Sequence, residues 1–211
     1  MPFSVVRHVA WVAIVLFSLG SIEANALALT SVKSRKIHGS TGTWDLTVDH
    51  TQALGSASIT VEPRAIGSGH RIVFVFDDTI TAAGVATASD AFGPLGTASA
   101  SITGASNMPP NNEVTVMLTS IPDNKRIKIS LVQVNGVLDV EASLGYLVAD
   151  VDNTRTVGPG DVSRVKTRSG QTASLSTYVY DLTHRAQSIH RIFLPSRRAW
   201  VSPCQRSTRS R

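Results

Sequence analysis

The sequence predicts a mainly β protein, an immunoglobulin-like antiparallel β-sandwich followed by a small α-helical module. Two observations predict the sandwich. Between Leu29 and Val148, short runs with apolar residues at alternate positions recur at near-regular spacing, and Gly, Pro and Asn clusters punctuate them. No segment in that region has the length and period of a helix. A third observation marks the end of the sandwich: after Leu147 the alternation gives way to an oxygen-rich loop and then to Val162 and Val165, spaced for one helix face.

The expected strands are Ser31–Ile37, Thr43–Val48, Ser58–Glu62, Arg71–Phe76, Thr81–Ala88, Ala98–Thr103, Glu113–Leu118, Arg126–Val134 and Leu138–Ser143. Alternation puts Ile72, Phe74 and Phe76 on one face of their strand. The same rule sends Val114, Val116 and Leu118, and then Ile127, Ile129 and Leu131, to the core. Asn135-Gly136 is a two-residue hairpin signal, because both residues tolerate positive φ. Val73 and Val75 give the Arg71–Phe76 strand a second apolar face, the mark of burial on both sides.

The chain begins as an export signal does. Arg7 and His8 precede the apolar run Val9–Ile22, and either Ala24-Asn25-Ala26 or Ala26-Leu27-Ala28 supplies the small-x-small cleavage pattern. The run is shorter than the ~20 residues a spanning helix needs, so no stable membrane span is expected once the signal, residues 1–28, is removed. One cysteine, Cys204, excludes an internal disulfide framework, which leaves packing and metal to hold a secreted fold. The sandwich is assigned to residues 29–146, the module to 147–183 and a basic tail to 184–211.

The module opens on Asp150-Val151-Asp152-Asn153-Thr154-Arg155-Thr156-Val157-Gly158-Pro159-Gly160-Asp161. A twelve-residue loop wraps Ca²⁺ by offering oxygens at positions 1, 3, 5, 7 and 12. Here those positions are Asp150, Asp152, Thr154, the Thr156 carbonyl and Asp161. Val157, at position 8, is apolar, as a residue that pins the loop to a core must be. Arg155 stands at position 6, where a glycine suits the sharp turn. Pro159 fits a first helical turn and Gly170 a helix end.

Leu147–Gly170 resembles a dockerin type I repeat, the half EF-hand module of secreted bacterial proteins. The resemblance implies Ca²⁺ as ligand and a cohesin-like protein domain as partner, with attachment to a scaffold or cell surface and a link to polysaccharide degradation. It places partner contact on the helix after the loop, at the expected exposed positions Ser163, Arg164, Lys166 and Thr167. Their basic character differs from that of common dockerin–cohesin pairs, and the module clipping back onto its own sandwich is the alternative.

Dockerins carry two such repeats. A second opening stands at Asp181 and Thr183, as positions 1 and 3, but no acid follows in reach. Under free synonymous codon choice, Arg185–Val201 read out of frame permits a string parallel to Arg155–Gly170. This suggests a second repeat lost to a frameshift; coding DNA that forbids that string removes the idea. A lone half should order poorly, and the tail from His184 is expected to be disordered.

The rest of the chain offers little chemistry. The pI of 9.8 comes from the tail: removing its seven arginines from the net +5 leaves −2, so no nucleic-acid surface is expected. His38, His50 and His70 lack metal-ligand spacing, no G-x-S-x-G elbow is present, and Glu62, Glu113 and Glu141 read as solvated strand or turn residues. Trp44 reads as core rather than as a sugar platform. These observations favour a non-catalytic, secreted adhesion or assembly protein. The alternative is a carbohydrate-active or glycan-binding protein, possessing extracellular polysaccharide as its ligand and working through the sandwich.

Overall fold

The structure is a computed structural model, and it describes residues 26–183. It is mainly β. One five-stranded antiparallel sheet has the order β2-β1-β4-β8-β7, made from β1 (Leu29–Ile37), β2 (Thr43–Val48), β4 (His70–Phe76), β7 (Thr97–Thr103) and β8 (Glu113–Thr119). The other has the order β3-β10-β9-β5-β6, from β3 (Val61–Glu62), β5 (Val85–Asp90), β6 (Gly93–Pro94), β9 (Lys125–Val134) and β10 (Leu138–Tyr146). Its one parallel pairing joins β3 to β10, with Gly145 opposite Val61 and Tyr146 opposite Glu62.

Alternation explains why the sheets meet. Ile72, Phe74 and Phe76 from β4 and Val114, Val116 and Leu118 from β8 share a single core with Ile127, Ile129 and Leu131 from β9 and Leu144 from β10. The period-two residues are therefore the ones removed from water, at ~1.5–3 kcal/mol for each large aliphatic side chain. Val73 is also buried on the other face of β4, whereas Val75 is only half-buried.

Three strand expectations need correction. Ser58–Glu62 contracts to Val61–Glu62, because Ser56 and Ser58 are held in a local turn where the Ser58 amide donates to the Ser56 hydroxyl (3.0 Å). Thr81–Ala88 moves to Val85–Asp90, since the Thr81 and Ala82 amides donate to the Asn135 side chain (2.8 and 3.0 Å) rather than to a ladder. The hairpin turn holds three residues, Val137 joining Asn135 and Gly136, because Leu138 pairs with Val134. Asn135 and Gly136 do adopt positive φ, at 49° and 78°.

Beyond β10 the chain forms α1 (Pro159–Arg168) and a single 3-10 turn at Tyr178–Tyr180. Val165 packs with Tyr180 and Leu182, and with Ala149, Val151 and Val179, in a second small core. Gly170, at φ 82°, turns the chain out of α1 as expected. Among the described residues, no helix is long and apolar enough to cross a membrane. The export signal through Asn25 and the tail from His184 lie outside the described residues.

Candidate metal centre

The loop that follows β10 is shaped by its own carboxylates. Asp150 is buried; its Oδ1 accepts from the Thr154 amide (2.9 Å) and its Oδ2 from the Arg155 amide (2.8 Å). Those two bonds fold positions 4 to 6 of the loop back over position 1. Asn153 and Arg155 consequently take left-handed φ of 60° and 66°. Asparagine tolerates that region, while arginine is strained there, as the missing glycine foreshadows.

Asp161 is the third residue of α1 and closes the loop from the other end. Its Oδ2 accepts from the Gly158 amide (2.9 Å), a capping contact that satisfies a helix-start N–H. Its Oδ1 accepts from the amides of Val151 (2.9 Å) and Asp152 (3.3 Å). The helix start and the loop start are thereby tied to one carboxylate.

Asp150, Asp152 and Asp161 each present an oxygen within 4.8 Å of the other two. Oxygens on opposite sides of a Ca²⁺ ion lie ~4.8 Å apart, given Ca–O distances of ~2.4 Å, so the cluster has the right span for a shared cation. Asp152 Oδ1 is buried and meets no hydrogen-bond partner among the described residues, which leaves one oxygen of the three-carboxylate cluster uncompensated by them. Among the described residues, Arg164 alone approaches as a counter-charge, with Nε 3.8 Å from Asp152 Oδ2.

Burial raises the pKa of Asp150 above the ordinary carboxylate value, the Arg155 and Thr154 amides draw it back, and the charges of Asp161 and Asp152 add to the rise. Hydrogen bonding from Thr154 holds Asp152 below its ordinary value against a smaller desolvation effect.

Thr154 and Thr156 are turned toward each other: Thr154 Oγ1 donates to the Thr156 carbonyl (3.2 Å). A hydroxyl that donates keeps its lone pairs, so Thr154 remains a usable ligand. The Thr156 carbonyl likewise has a second lone pair. The donor set fits a hard cation of the Ca²⁺ type, being all oxygen with three acids and no nitrogen or sulfur.

Ser163, Arg164, Lys166 and Thr167 are all exposed on α1. Beside Ser163 and Lys166, an open hollow is lined by Val157, Gly158, Pro159 and Val162. Val157 is 46 % exposed there, so it does not pin the loop to the core as expected; Val151 and Ala149 do that instead.

Asp181, the first position of the second opening, is buried beside His38, the residue after β1, with its Oδ2 2.8 Å from His38 Nδ1; the positions after Thr183 lie outside the described residues. Arg64 Nη1 lies 3.3 Å from His38 Nε2 and has only protons to give, which places the ring proton on Nδ1, facing Asp181. Arg64 also donates from Nε to Glu62 Oε1 (2.7 Å) and from Nη2 to Glu62 Oε2 (2.8 Å) and the Ser34 carbonyl (2.9 Å). The Ser34 hydroxyl donates to Glu62 Oε2 as well. Tyr178 stacks on Trp44 with centroids 6.2 Å apart, receives Arg64 over its ring at 5.2 Å, and donates its hydroxyl to the Asp45 carbonyl (3.0 Å). The segment 178–182 is thus strapped onto the first sheet.

These contacts correct the reading of Glu62 and Glu113 as solvated. Glu62, Glu113, His38 and His70 are all buried. Glu62 has Arg64, and Glu113 accepts from Arg35 (2.8 Å), which also pairs with Asp45. His70 packs against Tyr146 with ring centroids 3.9 Å apart. The signal for the first pair was the Glu-x-Arg spacing of Glu62 and Arg64; the others join residues far apart in sequence. Trp44 is half-buried under Tyr178 rather than part of the main core.

No family model matches the chain, and no curated protein or solved structure matches it.

Proposed function

We propose that the chain is an exported, non-catalytic calcium-binding adhesion or assembly protein, built as an immunoglobulin-like sandwich carrying a dockerin-like module. The observation that carries this reading is the convergence of Asp150, Asp152 and Asp161 at loop positions 1, 3 and 12, with a buried Asp152 oxygen left unpartnered. Bound calcium would supply the positive charge that three adjacent carboxylates lack. The chain's own amides hold Asp150 and Asp161 in place for it.

The partner is a cohesin-like domain, met by the exposed α1 face of Ser163, Arg164, Lys166 and Thr167 and the adjoining hollow at Val157 and Val162. The basic side chains suit an acidic partner surface. In this reading the signal is cut after Ala26. Leu27 packs on the main core, and the Ala28 amide donates to Asp77 Oδ1 (2.8 Å) while the Ala28 carbonyl accepts from the Asp77 amide (3.1 Å), contacts that a cut after Ala28 would remove.

Calorimetric titration of the mature protein with calcium tests the proposal. One site is expected, together with a rise in melting temperature. At a hundred times Kd, linkage adds ~2.7 kcal/mol, or ~5–10 °C for a chain of this size. Asp150→Ala is expected to abolish both. Absence of calcium binding at millimolar concentration in the unmutated protein would remove the metal and with it the adhesion reading.

A further inference from the structure

Beside the metal loop, a cavity of about 210 Å³ opens between the start of β9, the end of β10 and the loop. Lys125, Arg126 and Arg155 contribute to its wall, together with Asn124 and Ile59, and no carboxylate does. Lys125 already has a counter-ion in Asp90 (3.3 Å). The two arginines have none among the described residues. Arg126 Nη1 donates to the Ser56 carbonyl (3.1 Å) and Arg155 Nη2 to the Ile59 carbonyl (3.5 Å), both neutral acceptors. Arg155 Nε is buried and has no hydrogen-bond partner among the described residues.

Arg155 is also the residue that holds a left-handed backbone where glycine would be unstrained. Strain of this kind persists where surrounding structure over-determines it, and it gathers at ligand sites. Here the backbone amide of Arg155 is committed to Asp150, while its side chain brings an uncompensated guanidinium to a concave, acid-free wall. A guanidinium fork matches a carboxylate in two parallel hydrogen bonds, and a second arginine in the same wall adds charge.

The geometry points to a binding site for a small carboxylate ligand in this cavity, held by Arg155 and Arg126. The volume lies below the ~300–1,000 Å³ of drug-sized sites, which sets the ligand at about one sugar-acid residue or smaller. The site does not depend on metal, because neither arginine side chain is part of the acidic cluster.

The test is a nitrogen-15 NMR titration of the mature protein with sodium glucuronate, acetate, glucose and inorganic phosphate, at constant ionic strength and with and without calcium. Glucuronate or acetate is expected to shift the Arg155, Arg126 and Asn124 signals saturably, and glucose to leave them unmoved. Stronger binding of glucuronate than of acetate extends the site to the sugar ring; equal binding limits it to the carboxylate. Arg155→Gly removes the guanidinium while relieving the backbone, so it keeps the fold, and it should weaken binding at least about tenfold. Arg126→Gln, at an exposed position, should weaken it several-fold. No saturable shift from either carboxylate, equal shifts from glucose, preference for phosphate, or unchanged binding in both variants would each overturn the site.

Discussion

Replacing Arg64 with methionine, alone and together with Glu62→Gln, interrogates the polar cluster under the strap. Both side chains are fully buried. Arg64→Met leaves the Glu62 carboxylate without its two guanidinium bonds, and takes one donor each from the Ser34 and Trp44 carbonyls. Breaking a buried pair from one side costs ~3–5 kcal/mol, because an uncompensated charge stays in low dielectric. Two backbone carbonyls lose a guanidinium donor at the same time, so we expect a loss of about 4 kcal/mol from the ~5–15 kcal/mol typical of a folded domain. The double variant removes the charge as well and should recover about 2 kcal/mol. Urea unfolding at pH 7 reads both; with a slope of ~2 kcal/mol per molar, the single variant's midpoint falls by about 2 M. A single-variant loss under ~1 kcal/mol, or a double variant no more stable than the single, would refute the idea that the ion pair is held in place by mutual compensation.

Acid should act on the same pair. Burial alone would raise the Glu62 pKa, but Arg64 and the Ser34 hydroxyl hold it down to about 2 from 4.5. A depressed carboxylate contributes stability that is present above pH 4.5 and is lost as pH falls toward 2, here about 3 kcal/mol, measurable as urea midpoints across that window. Arg155→Gly should stabilise the metal-free protein by about 1 kcal/mol, the relief of a left-handed arginine less the entropy of glycine, seen as a melting-temperature rise of ~2–4 °C. Tyr178→Ala should cost ~2 kcal/mol by removing the Trp44 stack, the Arg64 contact and the bond to the Asp45 carbonyl, and amide exchange should quicken across 178–182 ahead of the sandwich. Uniform quickening throughout the chain would show that the strap and the sheets unfold as one unit.

The strands were legible because their apolar residues alternate: Ile127, Ile129 and Leu131 could be assigned to the core from spacing alone, and all three are fully buried. The β6 bridge at Gly93–Pro94 was not, since two residues without a side-chain pattern carry no period. The convergence of Asp150, Asp152 and Asp161 was legible because the three lie within twelve residues. The strap was hidden because its meaning depends on His38, some 140 residues from Asp181. Read locally, Asp181 and Thr183 look like a second loop; only folding shows Asp181 meeting His38. Buried Glu62 was missed because solvation is the ordinary state of a lone carboxylate; Arg64, two residues on, was the local sign of a pair, while Ser34 arrives from β1.

The side chain of Asn153 reaches out of the metal loop and accepts the Val61 amide at 2.8 Å. Val61 belongs to the outermost strand of its sheet, so this one amide group plugs a backbone donor that would otherwise stand open at the sheet's rim. Unwinding the loop would bare that rim to neighbouring molecules. On the calcium-binding reading proposed above, depletion of the ion would then register as self-association as well as lower melting temperature.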